Sequence, residues 1–480
     1  MLLKASDYFR NGTLLALAAA APLIFVASAK ADVTISSAAT QNMSCSGGVC
    51  APTAAGAVLN AGDLETLLAS GNVEVTTTGS GVQGDNIVVG DALSWSATSA
   101  LTLDAYQSVS IDKNIAVQGQ GGLTLATNDG GTNGALAFGH KGGVTFANLS
   151  SNLIINGTAY TLVNTIQSLA SAVAANPSGA YALASAYDAA LDGTYSTVPV
   201  PTPFTGTFEG LGNAISNLSI DDPNDTEVGL FAEVDIGGTL RDISVSAANV
   251  SASAANACAG TLVGWDYGSV IHASASGSVE SKDYCAGGLV GKTDGGTIVL
   301  SHAATKVSGV FAGGLVGFTV GGSIDESFAT GKASATEYAG GLVGEAGSFI
   351  TNCYATGAAK APKAASDLGG FDGADNEGSV SESYSTGRVI GGTTGAGSGR
   401  GGFVGITSET PYNNDYWDTD TSGFTNTHRG AGNVKNQQGI AGLKTRQLKS
   451  GLPPGFDPSI WGENKKFNGG FPYLLANPPH

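Results

Sequence analysis

Short runs of alternating apolar and polar residues follow one another along the first half of the chain. Examples between residues 72 and 157 are Val73-Glu74-Val75, Val109-Ser110-Ile111 and Val144-Thr145-Phe146. Turn residues separate these runs at intervals of roughly ten residues, a spacing typical of β-strands in all-β folds. Alternation with a period of two predicts strands with one buried face. This region is therefore expected to form a β-solenoid, a β-sandwich or a β-barrel.

One stretch breaks the β pattern. Leu162, Ile166, Leu169 and Val173 recur at helical spacing, and Asn176-Pro177 ends the pattern. Residues 198–203 then read Val-Pro-Val-Pro-Thr-Pro, which predicts a stiff connector. We expect a helical insertion and a connector here.

The second half of the chain contains an internal repeat. Ala-Gly-Gly-Leu-Val-Gly occurs at residues 286–291, 312–317 and 339–344, and Ala-Gly-Thr-Leu-Val-Gly occurs at 259–264. Between these copies, an apolar position recurs once per repeat and is followed three residues later by a small residue. The apolar positions are Val270, Ile298, Ile324, Ile350 and Val380, and the small ones are Ala273, Ser301, Ser327, Cys353 and Ser383.

Such a repeat predicts one turn of a stacked coil for each copy. Equivalent residues in successive turns lie about 4.8 Å apart, so like residues stack on like. Apolar columns would fill the interior, and small residues and glycines would occupy tight corners. The predicted fold is all-β, a parallel β-helix (solenoid) with a short helical insertion and end caps.

Composition and charge narrow the class of protein. Only 12% of the residues are charged and 42% are hydrophobic, which argues against disorder. The formal net charge is −18, and no cluster of lysine and arginine offsets it. An acidic surface repels nucleic acid, so we exclude nucleic-acid binding.

The N-terminus carries the pattern of an export signal. Lys4 and Arg10 form a basic region, residues 14–26 are apolar, and Ala29-Lys30-Ala31 offers a cleavage site between small residues. We predict a signal peptide at residues 1–31; an uncleaved anchor is the alternative. No later segment reaches transmembrane length.

The repeat and three flanking motifs resemble one family. The flanks are Phe-Thr-Gly-Thr-Phe-Glu-Gly-Leu-Gly at residues 204–212, Tyr-Trp-Asp-Thr-Asp-Thr-Ser-Gly at 416–423, and Asn-Gly-Gly-Phe-Pro-Tyr-Leu at 468–474. Together with the repeat they resemble GLUG-motif proteins, found in large bacterial surface proteins of the filamentous haemagglutinin and adhesin type. Residues 90–122 resemble a haemagglutinin-type β-helix.

The resemblance and the pattern together divide the chain into six parts. They are a signal peptide (1–31), a leader (32–71), a haemagglutinin-like β-helix (72–157), a helical insertion with a Pro-rich connector (158–203), a GLUG-repeat β-helix (204–423) and a C-terminal cap segment (424–480).

Four of the five cysteines form candidate pairs. Cys45 and Cys50 lie in Cys-Ser-Gly-Gly-Val-Cys, a loop short enough to close in an oxidising compartment. Cys258 and Cys285 both precede Ala-Gly and would be neighbours on adjacent coils. For this second pair a disulfide and two buried thiols remain open.

Three aromatic residues are candidates for contact with a ligand. Phe328, Tyr354 and Tyr384 each follow the small column by one residue, so the coil would stack them. They are interpreted as a carbohydrate-facing surface, with a core column or a surface ladder as alternatives.

Two motifs that suggest chemistry have simpler explanations. Residues 286–293 match a relaxed phosphate-loop pattern ending in Lys292-Thr293, but sister repeats place Trp, Phe and Glu where Lys292 stands. Asp418-x-Asp420-x-Ser422 resembles half of a calcium loop but lacks the closing glutamate. We assign no catalytic residue, cofactor or metal.

The expected function is that of an exported surface or secreted β-solenoid, an adhesin-type structural and binding protein without catalytic activity. Its partners would be host or matrix carbohydrate or protein, and the secretion partner stays unidentified. The alternatives are a carbohydrate-active β-helix enzyme, either a polysaccharide lyase or a hydrolase, and a periplasmic structural protein.

Overall fold

The computed structural model of the chain describes residues 32–361, 366–391, 399–408 and 410–479. These residues form a parallel β-solenoid of about 14 turns, which confirms the predicted fold class. The predicted signal peptide, residues 1–31, lies outside the described residues. In the described part of the chain, no helix is long and apolar enough to span a membrane.

One long sheet, sheet 1, runs through both halves of the solenoid. Its strands are Met43–Ser46, Val49–Pro52, Val73–Thr76, Ala100–Asp104, Gly122–Ala126, Leu153–Ile155, Thr158–Val163, Ala180–Leu183, Thr207–Glu209, Thr239–Arg241, Ser269–Ile271, Thr297–Val299, Ser323–Asp325, Phe349–Thr351, Ser379–Ser381 and Tyr412–Asn413. Most neighbours pair in parallel, but Thr158–Val163 pairs antiparallel with Leu153–Ile155. The strand direction in sheet 1 therefore reverses where the two halves of the solenoid meet.

Two more sheets complete the second half. Sheet 2 contains Tyr187–Asp188, Thr194–Tyr195, Ala214–Ser216, Ser219–Asp222, Glu227–Val228, Ser244–Ala252, Cys258–Ala259, Ser274–Ser281, Cys285–Gly287, His302–Gly313, Phe328–Ala329, Ala333–Gly340, Tyr354–Ala355, Ala359–Ala361, Asp367–Gly369, Tyr384–Ser385, Val389–Gly391, Arg400–Gly401, Asp415–Asp418 and Ile440–Leu443. Sheet 3 contains Phe231–Val234, Val263–Asp266, Val290–Asp294, Val316–Val320, Val343–Ala346, Asp372–Asp375 and Val404–Thr407. Each turn of this half thus contributes strands to three faces.

The first half has its own two smaller sheets. One contains Val33–Ser36, Ala57–Asn60, Ile87–Val89, Val109–Ile111 and Leu136–Phe138, and the other contains Leu93–Trp95, Ile115–Val117 and Val144–Phe146. Two short hairpins pair Thr78–Gly79 with Val82–Gln83 and Trp461–Gly462 with Tyr473–Leu474. The helices are α1 (Ala61–Leu68), α2 (Ile166–Ala175) and α3 (Thr445–Leu448), with 3₁₀ turns at Ala189–Asp192 and Asn468–Gly470.

The predicted apolar column fills the interior. In sheet 1, Val270 pairs with Ile298, and the register continues through Ile324, Ile350 and Val380. All five side chains are buried. Because every turn contributes one such residue, the buried column is continuous along the solenoid axis. A single turn could not bury its own apolar side chain without its neighbours.

The Ala-Gly-Gly-Leu-Val-Gly repeat forms the corner between sheet 2 and sheet 3. At Gly313 a Cβ atom would lie 1.8 Å from the Val316 carbonyl oxygen. At Gly314 it would lie 2.1 Å from the Gly341 carbonyl oxygen of the next turn. Both distances are too short for any side chain, so the motif allows backbone segments to approach closely at the corner.

At the corner between sheet 1 and sheet 2, side-chain hydroxyl groups form hydrogen bonds with the backbone. The small residues there bind the backbone of the neighbouring turn: Ser301 Oγ accepts from Ala273 N–H (3.1 Å), and Ser327 Oγ accepts from Ser301 N–H (3.0 Å). Ser383 Oγ likewise accepts from Cys353 N–H (3.1 Å). The small column therefore satisfies buried backbone donors as well as fitting the corner.

Two predicted segments, the leader and the insertion, differ from the structure. The predicted leader, residues 32–71, forms strands and α1, and Val33–Ser36 pairs with both Ala57–Asn60 and Ile87–Val89. Its apolar positions are few and separated by small residues, but the adjacent turns bury them. The leader is thus the beginning of the solenoid.

The predicted insertion at residues 158–203 also belongs to the solenoid. The α-helix covers Ile166–Ala175, and a 3₁₀ turn follows at Ala189–Asp192. Leu162 lies in the preceding strand, because Thr165 caps the helix by accepting from Ser168 N–H (3.0 Å). In the Pro-rich connector, Val200 is buried and its N–H donates to the Leu230 carbonyl (3.0 Å). Pairing with the next turn makes this stretch part of the wall.

Candidate functional site

The three aromatic residues that the sequence assigned to a ligand-facing surface are buried. Phe328 and Tyr354 stack with centroids 4.6 Å apart, and Tyr354 and Tyr384 stack at 5.3 Å. Their exposed fractions are 2%, 0% and 0%. The column predicted from the repeat is present, but the carbohydrate-facing interpretation is wrong because another segment covers it.

That segment is the C-terminal strap, residues 444–479. Two parts of the predicted cap segment (424–480) end the solenoid: Ile440–Leu443 pairs with Asp415–Asp418, and Ala431 pairs with Val404. The strap then lies along the side of the solenoid and places Trp461 and Phe456 on the aromatic column. Trp461 Nε1 donates to Asn352 Oδ1 (3.2 Å), and Tyr384 donates to the Pro472 carbonyl (2.6 Å). The strap therefore packs antiparallel to the stacking direction, over several turns.

Both candidate cysteine pairs are bonded in the structure. Cys45 and Cys50 close the hairpin at the N-terminal end of sheet 1. Cys258 and Cys285 join two adjacent turns of sheet 2. Cys353 is buried, its thiol donates to the Thr351 carbonyl (3.1 Å), and burial raises the pKa of that thiol well above its ordinary value. This third position is a packed thiol in the small column.

The two motifs with simpler explanations have structural roles. Lys292 lies within a strand of sheet 3, with no helix after it, so the phosphate-loop pattern has the wrong context. Asp418 and Asp420 hold the start of α3: Asp418 Oδ2 accepts from the Thr445 hydroxyl (2.6 Å) and Asp420 Oδ2 from Thr445 N–H (3.1 Å). Their carboxylates are engaged by the strap.

A second group of aromatic residues does reach the surface. We call it the outer aromatic surface; its partly exposed members are Trp265, Tyr267, Tyr284, Phe311, Phe318 and Tyr338. Register explains the grouping. Trp265 pairs with Lys292, Lys292 pairs with Phe318, and Phe311 pairs with Tyr338 on the neighbouring strand. Two columns, one from sheet 3 and one from sheet 2, therefore meet across the glycine corner.

The rings and one lysine form a continuous layer. Lys292 Nζ lies 3.8 Å from the Trp265 ring centroid and 5.6 Å from that of Phe318. Tyr284 contacts Phe311 and Phe318 with centroids 5.0 and 6.1 Å apart, and Phe311 stacks on Tyr338 at 4.9 Å. The ammonium between two ring faces gains cation–π attraction and holds the rings in fixed positions.

A groove borders this surface on the side of later turns. Phe318, Glu345 and Phe349 line a cavity of about 460 Å³. Phe349 is 59% exposed, and the Asn376 amide donates to the Glu345 carboxylate. Burial, followed by repulsion from Glu337, raises the pKa of Glu345 above its ordinary value. The groove thus combines apolar walls with carboxyl and amide groups.

The sequence held a signal for this surface. Trp265, Phe318 and Glu345 occupy the position after the last glycine of the repeat, where Lys292 stands in the second copy. Because that position alternates with buried valines along a strand, it faces outward. The meeting of this column with Phe311 and Tyr338 depends on the angle of the corner, which sequence spacing does not give.

Comparison with known proteins supports the repeat. The family described as the GLUG motif matches residues 335–359, which form about one turn of the solenoid. Halomucin from Haloquadratum walsbyi is 35% identical over 80 residues, which are 17% of this chain and 1% of halomucin. The chain therefore spans only a very small part of that relative.

One solved structure is also similar. It is a candidate immunoglobulin A1 protease from Bacteroides ovatus, with a TM-score of 0.42 and 16% sequence identity, covering 66% of this chain and 92% of that one. The family match at residues 335–359 alone confirms the GLUG resemblance, for one turn of the repeat.

Proposed function

We propose that the protein is an exported, non-catalytic β-solenoid of adhesin type that binds carbohydrate through the outer aromatic surface. The observation that carries the proposal is the layer of rings around Lys292. Monomeric soluble proteins rarely leave several large aromatic rings together at the surface, and such patches mark binding sites. The GLUG match over residues 335–359 supports the adhesin type.

The chemistry of the surface suits sugars. A pyranose ring has an apolar face of C–H groups that packs on an aromatic ring and a rim of hydroxyls that need hydrogen-bond partners. Trp265 and Phe318 offer partly exposed aromatic rings, and Lys292, Glu345 and Asn376 offer charged and amide groups beside them. Tyrosine and tryptophan supply large contact areas at low cost in conformational entropy.

The spacing of the rings also suits a polymer. Trp265 and Phe318 are two turns apart in register, which is about 9.6 Å along the solenoid axis. This distance is close to the length of a disaccharide unit in an extended polysaccharide. A chain lying parallel to the axis would place alternate sugars over these rings, with the groove at Phe349 extending the path.

Removal of either ring should weaken binding. We expect Trp265→Ala and Phe318→Ala each to lower the affinity for an extended oligosaccharide about tenfold, because a stacking contact contributes about 1 to 1.5 kcal/mol. Affinity would be measured by biolayer interferometry against immobilised cellohexaose, chitohexaose and hyaluronan oligosaccharides.

Leu191→Ala is the matched control, since Leu191 is 79% exposed but lies outside the aromatic layer. It should leave the affinity unchanged. Equal losses for all three variants would indicate general stickiness. Binding of a host-surface protein without any glycan would contradict the carbohydrate proposal.

Export is tested in the native host. The two disulfides require an oxidising compartment. We therefore expect protein in the medium or on the outer surface, with Cys258 and Cys285 resistant to alkylation until a reductant is added and Cys353 reactive only after unfolding. Protein confined to the periplasm would contradict the adhesin type, and free thiols at both pairs would contradict export.

A further inference from the structure

A cavity of about 290 Å³, lined by both polar and apolar groups, lies where the two halves of the solenoid meet. Loop residues 138–142 of the first half line one side, and corner residues 242–244 and 272–274 of the second half line the other. A hydrogen bond from Val144 N–H to the Leu211 carbonyl (3.0 Å) joins the halves there. Sites of this kind occur preferentially at such junctions.

Three of the five histidines of the chain line this one cavity. His272 and His302 come from successive turns, because Ser274 pairs with His302. His140 comes from the loop of the other half. In an acidic chain with 21 lysines and arginines among 480 residues, this concentration of groups that can carry positive charge is unusual.

Contacts hold two of the imidazole rings in place. His272 Nδ1 lies 2.6 Å from Asp242 Oδ1, and Asp242 Oδ2 accepts from Arg241 Nε (2.9 Å). His302 stacks on Phe328 at 4.7 Å, and its Nδ1 lies 3.1 Å from Asn477 Oδ1. Fixed rings at a cavity wall lose little entropy when a ligand binds.

The backbone at these corners is strained. Asp242 and His272 have φ values of 54° and 51°, in the left-handed region, where residues other than glycine and asparagine are uncommon. The same corner of later turns also has positive φ values, at Leu300, Glu326, Asn352, Glu382 and Asn414. The left-handed backbone is therefore a property of this corner in successive turns, and only the side chains that it carries are particular to the cavity.

We propose that this junction cavity binds an anionic group, a carboxylate or a sulfate, when its imidazoles are protonated. Arg241 and Asp242 balance each other, so the histidines decide the sign of the charge. Imidazoles gain protons as the pH falls from about 8 to about 5. Other charged groups lie next to the lining residues: Glu209 is 3.2 Å from Arg241 Nε, Asp112 lies beside Gly139, and Lys141 follows His140 in the sequence.

Burial, and then the neighbouring Asp242, raises the pKa of Glu209 well above its ordinary value, which favours its neutral form. This carboxyl group therefore adds little negative charge to oppose an anion at acidic pH. The described residues contain no group of three or more His, Cys, Asp or Glu placed to hold a metal ion. The ligand chemistry that fits the cavity is that of an inorganic anion or an acidic sugar.

The test is calorimetric titration of the full chain with sodium sulfate, sodium glucuronate and glucose in chloride buffer. We expect sulfate and glucuronate to bind at about pH 5.5. At about pH 8 their affinity should be lower by a factor of about ten or more. Glucose should not bind this cavity at either pH. Tighter binding of glucuronate than of sulfate would identify an acidic sugar as the source of the anion.

His272→Asn keeps a residue that the chain itself uses at this corner, so the fold should be retained. It should weaken anion binding at about pH 5.5 about tenfold, the effect of losing one charged hydrogen bond. His140→Ala, on an exposed loop, should weaken it severalfold. Glu382→Asn, at the equivalent corner of a later turn, is the control and should change nothing.

Affinity that does not depend on pH would overturn the proposal, as would unchanged binding in both histidine variants. The proposal is independent of the outer aromatic surface, because Trp265→Ala should leave sulfate binding intact. Failure of one proposal therefore leaves the other standing.

Discussion

Replacement of Asp372 by valine is expected to stabilise the solenoid by about 1 to 4 kcal/mol at neutral pH. Asp372 pairs in register with Val343 on one side and Val404 on the other. It is fully buried, and within the described residues neither carboxyl oxygen has a hydrogen-bond partner. Valine would continue the apolar column and remove the cost of an unpartnered buried acid.

The gain should depend on pH in a defined direction. Burial, and then repulsion from Asp375 and Asp415, raises the pKa of Asp372 well above 3.8. A raised pKa in the folded state means that stability is complete below the ordinary pKa and is lost as the pH rises through the folded value. The benefit of Asp372→Val should therefore be largest at neutral pH and smallest well below pH 3.8, where the carboxyl is protonated in both states.

Hydrogen exchange of strands Val343–Ala346 and Val404–Thr407 would measure the effect locally. This readout is needed because solenoids can unfold turn by turn. Val343→Asp is the matched control and should destabilise the same turns, since it places a second unpartnered acid in the column. Equal exchange in wild type and Asp372→Val at neutral pH would mean that Asp372 has a stabilising partner.

The same reasoning extends to the unmodified protein. Burial raises the pKa of Asp266 to about 7 and that of Asp375 to about 6. Both carboxyls favour the folded state below 3.8 and lose that contribution as the pH rises towards about 7. These groups therefore favour a more stable solenoid in mildly acid than in neutral solution.

Trp461→Ala is expected to release the C-terminal strap while leaving the solenoid folded. The Trp461 side chain is 1% exposed, and its ring centroid lies 6.1 Å from Tyr354, 5.8 Å from Tyr384 and 4.6 Å from Phe456. Truncation of a buried tryptophan costs about 3 to 5 kcal/mol. Three other buried apolar residues of the strap, Leu448, Phe456 and Leu474, belong to the same cluster as Trp461. Loss of the indole should therefore loosen the strap as a unit, and most of the cost should appear as local opening.

Limited trypsin digestion would measure the opening, because Lys465 and Lys466 are exposed within the strap. Cleavage there should accelerate strongly in Trp461→Ala, and the amides around Tyr384 should lose protection from hydrogen exchange. Phe467→Ala is the control: Phe467 is 38% exposed, and its loss should change cleavage little. Unchanged cleavage in Trp461→Ala would show that the polar contacts of Asn468 and Asn477 hold the strap without the ring.

The sequence predicted the second half of the fold closely. The repeat fixed the register, so Val270, Ile298 and Ile324 stack as expected, and Cys258 lies beside Cys285. It missed the strands at residues 32–71 and the pairing of Val200 with Phe231 of the next turn. In both places neighbouring turns bury a few apolar residues. The local pattern of apolar and polar residues does not show this burial.

The aromatic columns show which features follow from the sequence and which depend on the tertiary structure. Sequence alone determined that Phe328, Tyr354 and Tyr384 would stack, because a repeat of regular length places equivalent residues above one another. Only the tertiary structure decided that the strap covers them, since the strap is distant in sequence and follows no repeat. Likewise the repeat placed Trp265 and Phe318 on one outward column, while the corner angle brought Tyr284 and Phe311 beside them.

The junction cavity depends on tertiary structure entirely. His140, His272 and His302 share no spacing in the sequence, and the strands around them belong to two halves that meet at an antiparallel pairing. Stacking within one repeat is set by chain length per turn and so can be read from sequence. Contacts between a repeat and a non-repeating segment depend on where the chain reverses, which only the folded structure shows.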